Sequence, residues 1–135
     1  MRRDPWLPDT LEAAEEAGVD RDTLEAVRYY RTSRGHDVNS TNRLLFRSNA
    51  SLLGFDAFHL VPELLTQPLQ VIVGGRLGST FSYEDGKTLW ARARFKEDFC
   101  VIDGAGHYEL YDTPEYVSQA IDRLVPFYRK HTKAN

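Results

Sequence analysis

The chain has 135 residues, with 17 Lys+Arg against 20 Asp+Glu and a formal net charge of −3. Hydrophobic residues make up 41% and charged residues 27%, a globular mixture that argues against intrinsic disorder and against a two-domain enzyme. The net acidity gives no general pull toward nucleic acid, and a single cysteine cannot form an internal disulfide.

Met1-Arg2-Arg3-Asp4-Pro5-Trp6 carries charge but no apolar run behind it, so neither a signal peptide nor a membrane span is expected. A cytoplasmic chain follows as the expectation. Asp9-Thr10 precedes a run of helix formers from Leu11 to Ala17 and a stop at Gly18. Asp20 opens a second helix, in which Leu24, Val27 and Tyr30 share one face. The polar stretch Thr32 to Asp37 reads as a loop. Ser40 can cap a third helix carrying Leu44, Leu45, Ser48 and Leu52, stopped by Gly54. Asp56 can cap a short fourth helix, Ala57 to Leu60, running up to Pro62.

Near Gln67 the pattern changes from helical spacing to an alternation of strand and helix. Leu69-Gln70-Val71-Ile72-Val73 is a β-branched run between Pro68 and Gly74-Gly75, and reads as a buried strand. Ser82 to Arg94 reads as a helix with Leu89, Trp90 and Ala93 facing inward. Phe99 to Ile102 reads as a second strand, closed by Gly104-Ala105-Gly106. Pro114 fits the first turn of a last helix capped by Thr113, which runs out in Lys130 and Lys133. Strand, helix, strand, helix with short loops predicts a right-handed parallel βαβα unit. The fold class is therefore α/β. A helical segment (1–66) precedes a βαβα unit (67–131), and both fall within one expected domain.

His107 follows two glycines just beyond a buried strand, at the sheet edge where open α/β folds hold their ligands. With an ordinary pKa of ~6.5, a histidine there can act as a general base. The alternative is a loop histidine with no chemical role. Cys100, flanked by Phe99 and Val101 within a strand, reads as an inert buried thiol. His36, Asp37 and His59 lack metal-ligand spacing. Gly74-Gly75-Arg76-Leu77-Gly78 lacks the Lys-Ser/Thr ending of a phosphate loop. Arg28, Tyr29, Tyr30, Arg31 and Arg34 mix cations with aromatics, but Glu25 and Asp37 flank them, so a solvated helix face is the better reading. No cofactor and no metal are expected.

The stretch Pro68 to Gly75, the helix after it, Phe99-Cys100-Val101-Ile102-Asp103-Gly104-Ala105-Gly106-His107, and Tyr111-Asp112-Thr113-Pro114-Glu115 together resemble the carboxyl-terminal part of an α/β-hydrolase. The resemblance is to the branch near dienelactone hydrolases and small esterase-like proteins, and spans roughly residues 56 to 130. It implies that His107 is the catalytic histidine and that the helices before Pro68 correspond to a lid-like segment. In that fold the triad runs along the chain as Ser, then Asp or Glu, then His. No glycine here is followed two positions later by serine, so there is no G-x-S-x-G elbow. The loop Gly75 to Thr80, where the resemblance expects the acid, carries no carboxylate. Glu84 and Asp85 fall in the first turn of the next helix, Asp103 at a strand end and Asp112 before the last helix.

The expectation is a truncated or split carboxylic-ester-type hydrolase that keeps the histidine loop and lacks the serine. A non-catalytic interaction domain derived from such a hydrolase is the alternative. Two strands make a marginal sheet. A homo-oligomer, or a partner chain supplying the nucleophile half, is therefore expected, with no nucleic acid or membrane partner. Substrate and triad acid are not legible.

Overall fold

The computed structural model describes residues 3–132; Met1, Arg2 and Lys133 lie outside them. The fold is mixed α/β, and the chain divides into two compact units at Ala57/Phe58. Segment 58–66, expected to belong to a helical first half, groups with the sheet that follows it.

In the first unit, β1 (Arg3–Pro5), α1 (Leu11–Glu16), α2 (Arg21–Tyr30), β2 (Arg43–Leu45) and α3 (Ser48–Leu53) follow in order. Two of the expected caps form, at Thr10 and Asp20, whereas Thr113, which precedes the last helix, makes no side-chain cap bond. Thr10 Oγ1 accepts from Ala13 N at 3.2 Å, and Asp20 Oδ1 accepts from Asp22 N at 3.0 Å. Both bonds satisfy amide groups that a helix start leaves without partners. Ala14, Ala26 and Val27 are buried in this unit, with Val27 fully enclosed.

The expected third helix from Ser40 is corrected. Arg43–Leu45 is a strand, paired antiparallel with β1, and only Ser48–Leu53 is helical. The cause lies one residue before the strand. Asn42 adopts φ 50°, a left-handed conformation that asparagine tolerates and a helix cannot contain. Its side chain secures that bend: Oδ1 accepts from Trp6 N and Leu7 N, and Nδ2 donates to Leu7 O at 2.7 Å. Leu44 and Leu45 are spaced equally well for either structure, so this long-range anchor decided between them.

The second unit holds α4 (Val61–Leu64), β3 (Leu69–Gly74), α5 (Ser82–Arg92), β4 (Lys96–Ile102), α6 (Glu109–Asp112) and α7 (Pro114–His131). The expected helix at Ala57 to Leu60 is also corrected, because the helical turn begins at Val61. Pro62 lies in its first turn, where a missing N–H costs nothing, rather than ending a helix before it.

β3 and β4 pair in parallel, with Val71 opposite Phe99 and Gly74 opposite Ile102. Val71, Val73, Ala93, Ile102 and Ala105 are buried. Of the residues expected to face inward from α5, Ala93 is buried while Leu89 and Trp90 are half-buried. α5 lies close on β3 because Gly86 has no side chain. A Cβ there would approach Val73 Cγ1 to 2.7 Å. That approach sets where the amino-terminal end of α5 arrives, and Ser82 is its first residue. Among the described residues, no helix is long and apolar enough to cross a membrane.

Candidate functional site

The loops after β3 and β4 are tied together at the carboxyl edge of the sheet. Gly75 N donates to Ile102 O at 2.9 Å, and Arg76 N donates to Ala105 O at 3.0 Å. Gly74 permits this closeness, since a Cβ on it would collide with the Ala105 carbonyl. Gly104 turns the second loop with φ 78°, a region that favours glycine. His107 emerges from that turn, half-buried.

Both ring nitrogens of His107 are engaged. Nδ1 lies 2.6 Å from Ser82 Oγ, and Nε2 lies 2.7 Å from Tyr111 Oη. Ser82 is delivered by Phe81, a non-glycine residue at φ 55° immediately before α5. A bulky residue there costs about 1–3 kcal/mol. Tyr111 comes from α6, one helical turn after His107, and its ring packs on the imidazole with centroids 5.1 Å apart. Tyr108 makes an edge contact on the same ring, at 4.8 Å.

A cleft of about 270 Å³ opens beside the histidine. Gly74, Arg76, Thr80, Ser82, His107 and Tyr111 are among its walls. Ile72, Val73, Tyr83 and Leu110 add to the lining, so a few convergent polar groups stand on a largely apolar wall, the usual make-up of a small-molecule pocket.

Arg76 and Glu109 clamp the loop from below. Their charged groups are paired, Arg76 also donates to Gly104 O, and Glu109 Oε2 accepts from Gly106 N at 3.0 Å. Burial pushes the Glu109 carboxyl upward, but the hydrogen bond and charge of Arg76, helped by two backbone amides, outweigh it. The net shift is below the ordinary carboxylate value. A carboxyl lowered on folding contributes stability above its unfolded pKa of ~4.3, and that contribution is lost as pH falls through the folded value. Solvent screens this partly exposed pair, so Glu109→Gln should destabilise the second unit by no more than about 1 kcal/mol at neutral pH. It should also flatten the acid limb of a stability–pH curve from urea titrations. An unchanged acid limb would show that the clamp carries no stability.

None of the remaining sequence candidates lines this cleft. Glu84 and Asp85 are exposed in the first turn of α5, and Asp103 and Asp112 are exposed. Cys100, expected to be buried, is half-buried in β4. His36 and His59 lie in different units. Arg28 and Arg34 both face Glu25, at 2.8 and 4.0 Å, and Arg31 faces Asp9 at 3.8 Å. Sequence reasoning did not reach Tyr111, Arg76 or Glu109 as site residues. The four-residue spacing from His107 to Tyr111 was the one available signal.

No protein-family model matches the chain. It is similar to the uncharacterized protein YcjY of Escherichia coli (strain K12), with 33% identity over 107 residues. The match covers 78% of this chain and 34% of that protein. It is also similar to the uncharacterized protein PA2218 of Pseudomonas aeruginosa (strain PAO1), with 28% identity over 106 residues. That match covers 76% of this chain and 27% of the relative. The chain thus spans about a third or less of the length of these relatives.

Proposed function

We propose that the chain is the carboxyl-terminal part of an α/β-hydrolase-type carboxylic-ester hydrolase, with His107 as its proton-transfer residue. One observation carries the reading. His107 stands at the carboxyl edge of a parallel β-α-β unit, beside a cleft, with each ring nitrogen on a hydroxyl. A histidine so placed can take a proton from a hydroxyl nucleophile and return it to a leaving alcohol.

The nucleophile is the missing part. The sequence has no G-x-S-x-G elbow, and a histidine without its serine supports only residual rate. The purified chain is therefore expected neither to hydrolyse p-nitrophenyl esters nor to label with a fluorophosphonate serine probe. Mixing with a polypeptide that carries the elbow should restore turnover. Stoichiometric labelling of the chain alone, at Ser79 or Ser82 for instance, would overturn this reading.

A second reading, a non-catalytic interaction domain derived from a hydrolase, has one observation in its favour. Ser82 and Tyr111 already occupy both nitrogens of His107, which suits a silent site. Failure of every elbow-bearing partner to restore turnover would favour it.

The sheet bears on association. Among the described residues β3 and β4 have only each other, so each leaves one edge open. Leu69 to Val73 contains no proline or charge that would protect an edge. We propose that this edge pairs with a further strand, from a second copy or from a chain supplying the nucleophile half. Sedimentation equilibrium at micromolar concentration should give a mass above that of the monomer. A clean monomer with cooperative unfolding would contradict self-association.

A further inference from the structure

We propose that Ser82 is the positioning residue of His107: its hydroxyl oxygen accepts from Nδ1–H, in the place where a carboxylate would orient a catalytic histidine. The inference rests on the hydrolase-type reading of His107, and adds a residue and a tautomer to it.

The donor direction follows from the stronger donor at the ring: a phenol is more acidic than a serine hydroxyl, and Tyr111 donating to Nε2 at 2.7 Å leaves the hydrogen on Nδ1. Ser82 Oγ has two polar neighbours, Nδ1 at 2.6 Å and, more distantly, Thr80 Oγ1 at 3.4 Å. A hydroxyl has one proton. If that proton points at Thr80, the 2.6 Å contact to the ring must be a bond that Ser82 accepts. Nδ1 then carries the hydrogen and Nε2 keeps its lone pair. The result is a relay running Tyr111 to His107 to Ser82 to Thr80. Tyr111 and Ser82 each donate onward in it, and the base nitrogen is the one facing away from α5.

The loop chemistry agrees. The segment Gly75 to Thr80 offers no carboxylate, and Glu84 and Asp85 are exposed on α5. Ser82 is the group that the strained turn at Phe81 and the close packing at Gly86 deliver to Nδ1. A neutral hydroxyl fixes the ring and its tautomer, but does not stabilise the imidazolium as a carboxylate does. Such a site would orient its base while giving up part of the charge stabilisation.

The test is the tautomer of His107 in the full chain, read from long-range ¹H–¹⁵N correlations of the imidazole at a pH where histidine is neutral. The wild-type ring is expected to carry its hydrogen on Nδ1. In Ser82→Ala the ratio of Nδ1–H to Nε2–H should fall about fivefold, the effect of one hydrogen bond of ordinary net strength. Ser82→Thr, which restores the hydroxyl, should keep the wild-type ratio. Three results overturn the proposal: Nε2–H in the wild-type chain, an unchanged ratio in Ser82→Ala, or equal falls in the Ala and Thr variants. The wild-type spectrum decides by itself if Ser82→Ala does not fold. Because the tautomer is read independently of turnover, the two readings can fail separately. An Nδ1–H ring with no restorable esterase activity sinks the hydrolase reading alone. An Nε2–H ring in an active reconstituted enzyme sinks this one alone.

Discussion

Gly74→Val is expected to cost the second unit about 3 kcal/mol or more, the upper range for forcing a side chain into a packed position. The reason is what the new Cβ would meet. Its nearest neighbour would be the carbonyl of Ala105, and main chain cannot rotate away as the end of a long side chain can. That carbonyl also accepts from Arg76 N at 3.0 Å, and Gly74 itself stands opposite Ile102, which is 1% exposed. Relief would therefore have to come from separating the two loops, and the loop that moves carries His107. Gly86→Ala gives the contrast. A Cβ there would approach Val73 Cγ1 to 2.7 Å, against a buried β-branched side chain, so the roughly 1 kcal/mol of helix propensity that alanine gains over glycine offsets only part of the crowding. Urea unfolding should show a large drop in midpoint for Gly74→Val and a smaller drop for Gly86→Ala. Equal stability of the two variants would mean that the loops adjust freely, and that the position of His107 is less constrained than the packing implies.

What was legible in the sequence follows from how local each signal is. The strand at Leu69, the helix at Ser82 and the last helix at Pro114 are set by β-branched residues, helix formers and a proline within a few positions. They appear within a residue or two of their expected ends, β4 excepted, which starts three residues earlier than Phe99. The strand at Arg43–Leu45 was not legible because its cause is Asn42 binding backbone groups about 35 residues away. Short apolar runs fit helix and strand alike, and only the tertiary anchor chooses. The site divides in the same way. His107 stood out because two glycines precede it after a strand. Ser82 and Arg76 gave no such sign, since each reaches the site across two loops that only the fold brings together. Glu109 carries no local signal, because the backbone amide of Gly106 and the guanidinium of Arg76 meet on its carboxylate only in the fold.

His107→Ala should remove about 10²–10⁴-fold of the rate once an elbow-bearing chain has restored turnover, the range for loss of a general base. Assembly and folding should be nearly unaffected. The ring is half-buried at the cleft wall, and its polar contacts are to two hydroxyls, which can turn to other partners or to water when it is removed. The cost to stability should therefore stay near that of one or two ordinary hydrogen bonds, about 1–2 kcal/mol. Tyr111→Phe separates rate from packing. It keeps the ring that makes an edge contact with His107 and deletes only the hydroxyl at Nε2, so the base nitrogen is freed rather than lost. In the hydrolase reading that variant should retain or raise the restored rate, because the phenol occupies the place that the nucleophile's hydroxyl must take. The measurement is kcat/KM for a p-nitrophenyl ester on each reconstituted variant, with sedimentation confirming equal assembly. Full activity in His107→Ala would mean that the loop is retained for its shape alone. A Tyr111→Phe loss as deep as that of His107→Ala would instead make the phenol part of the proton path.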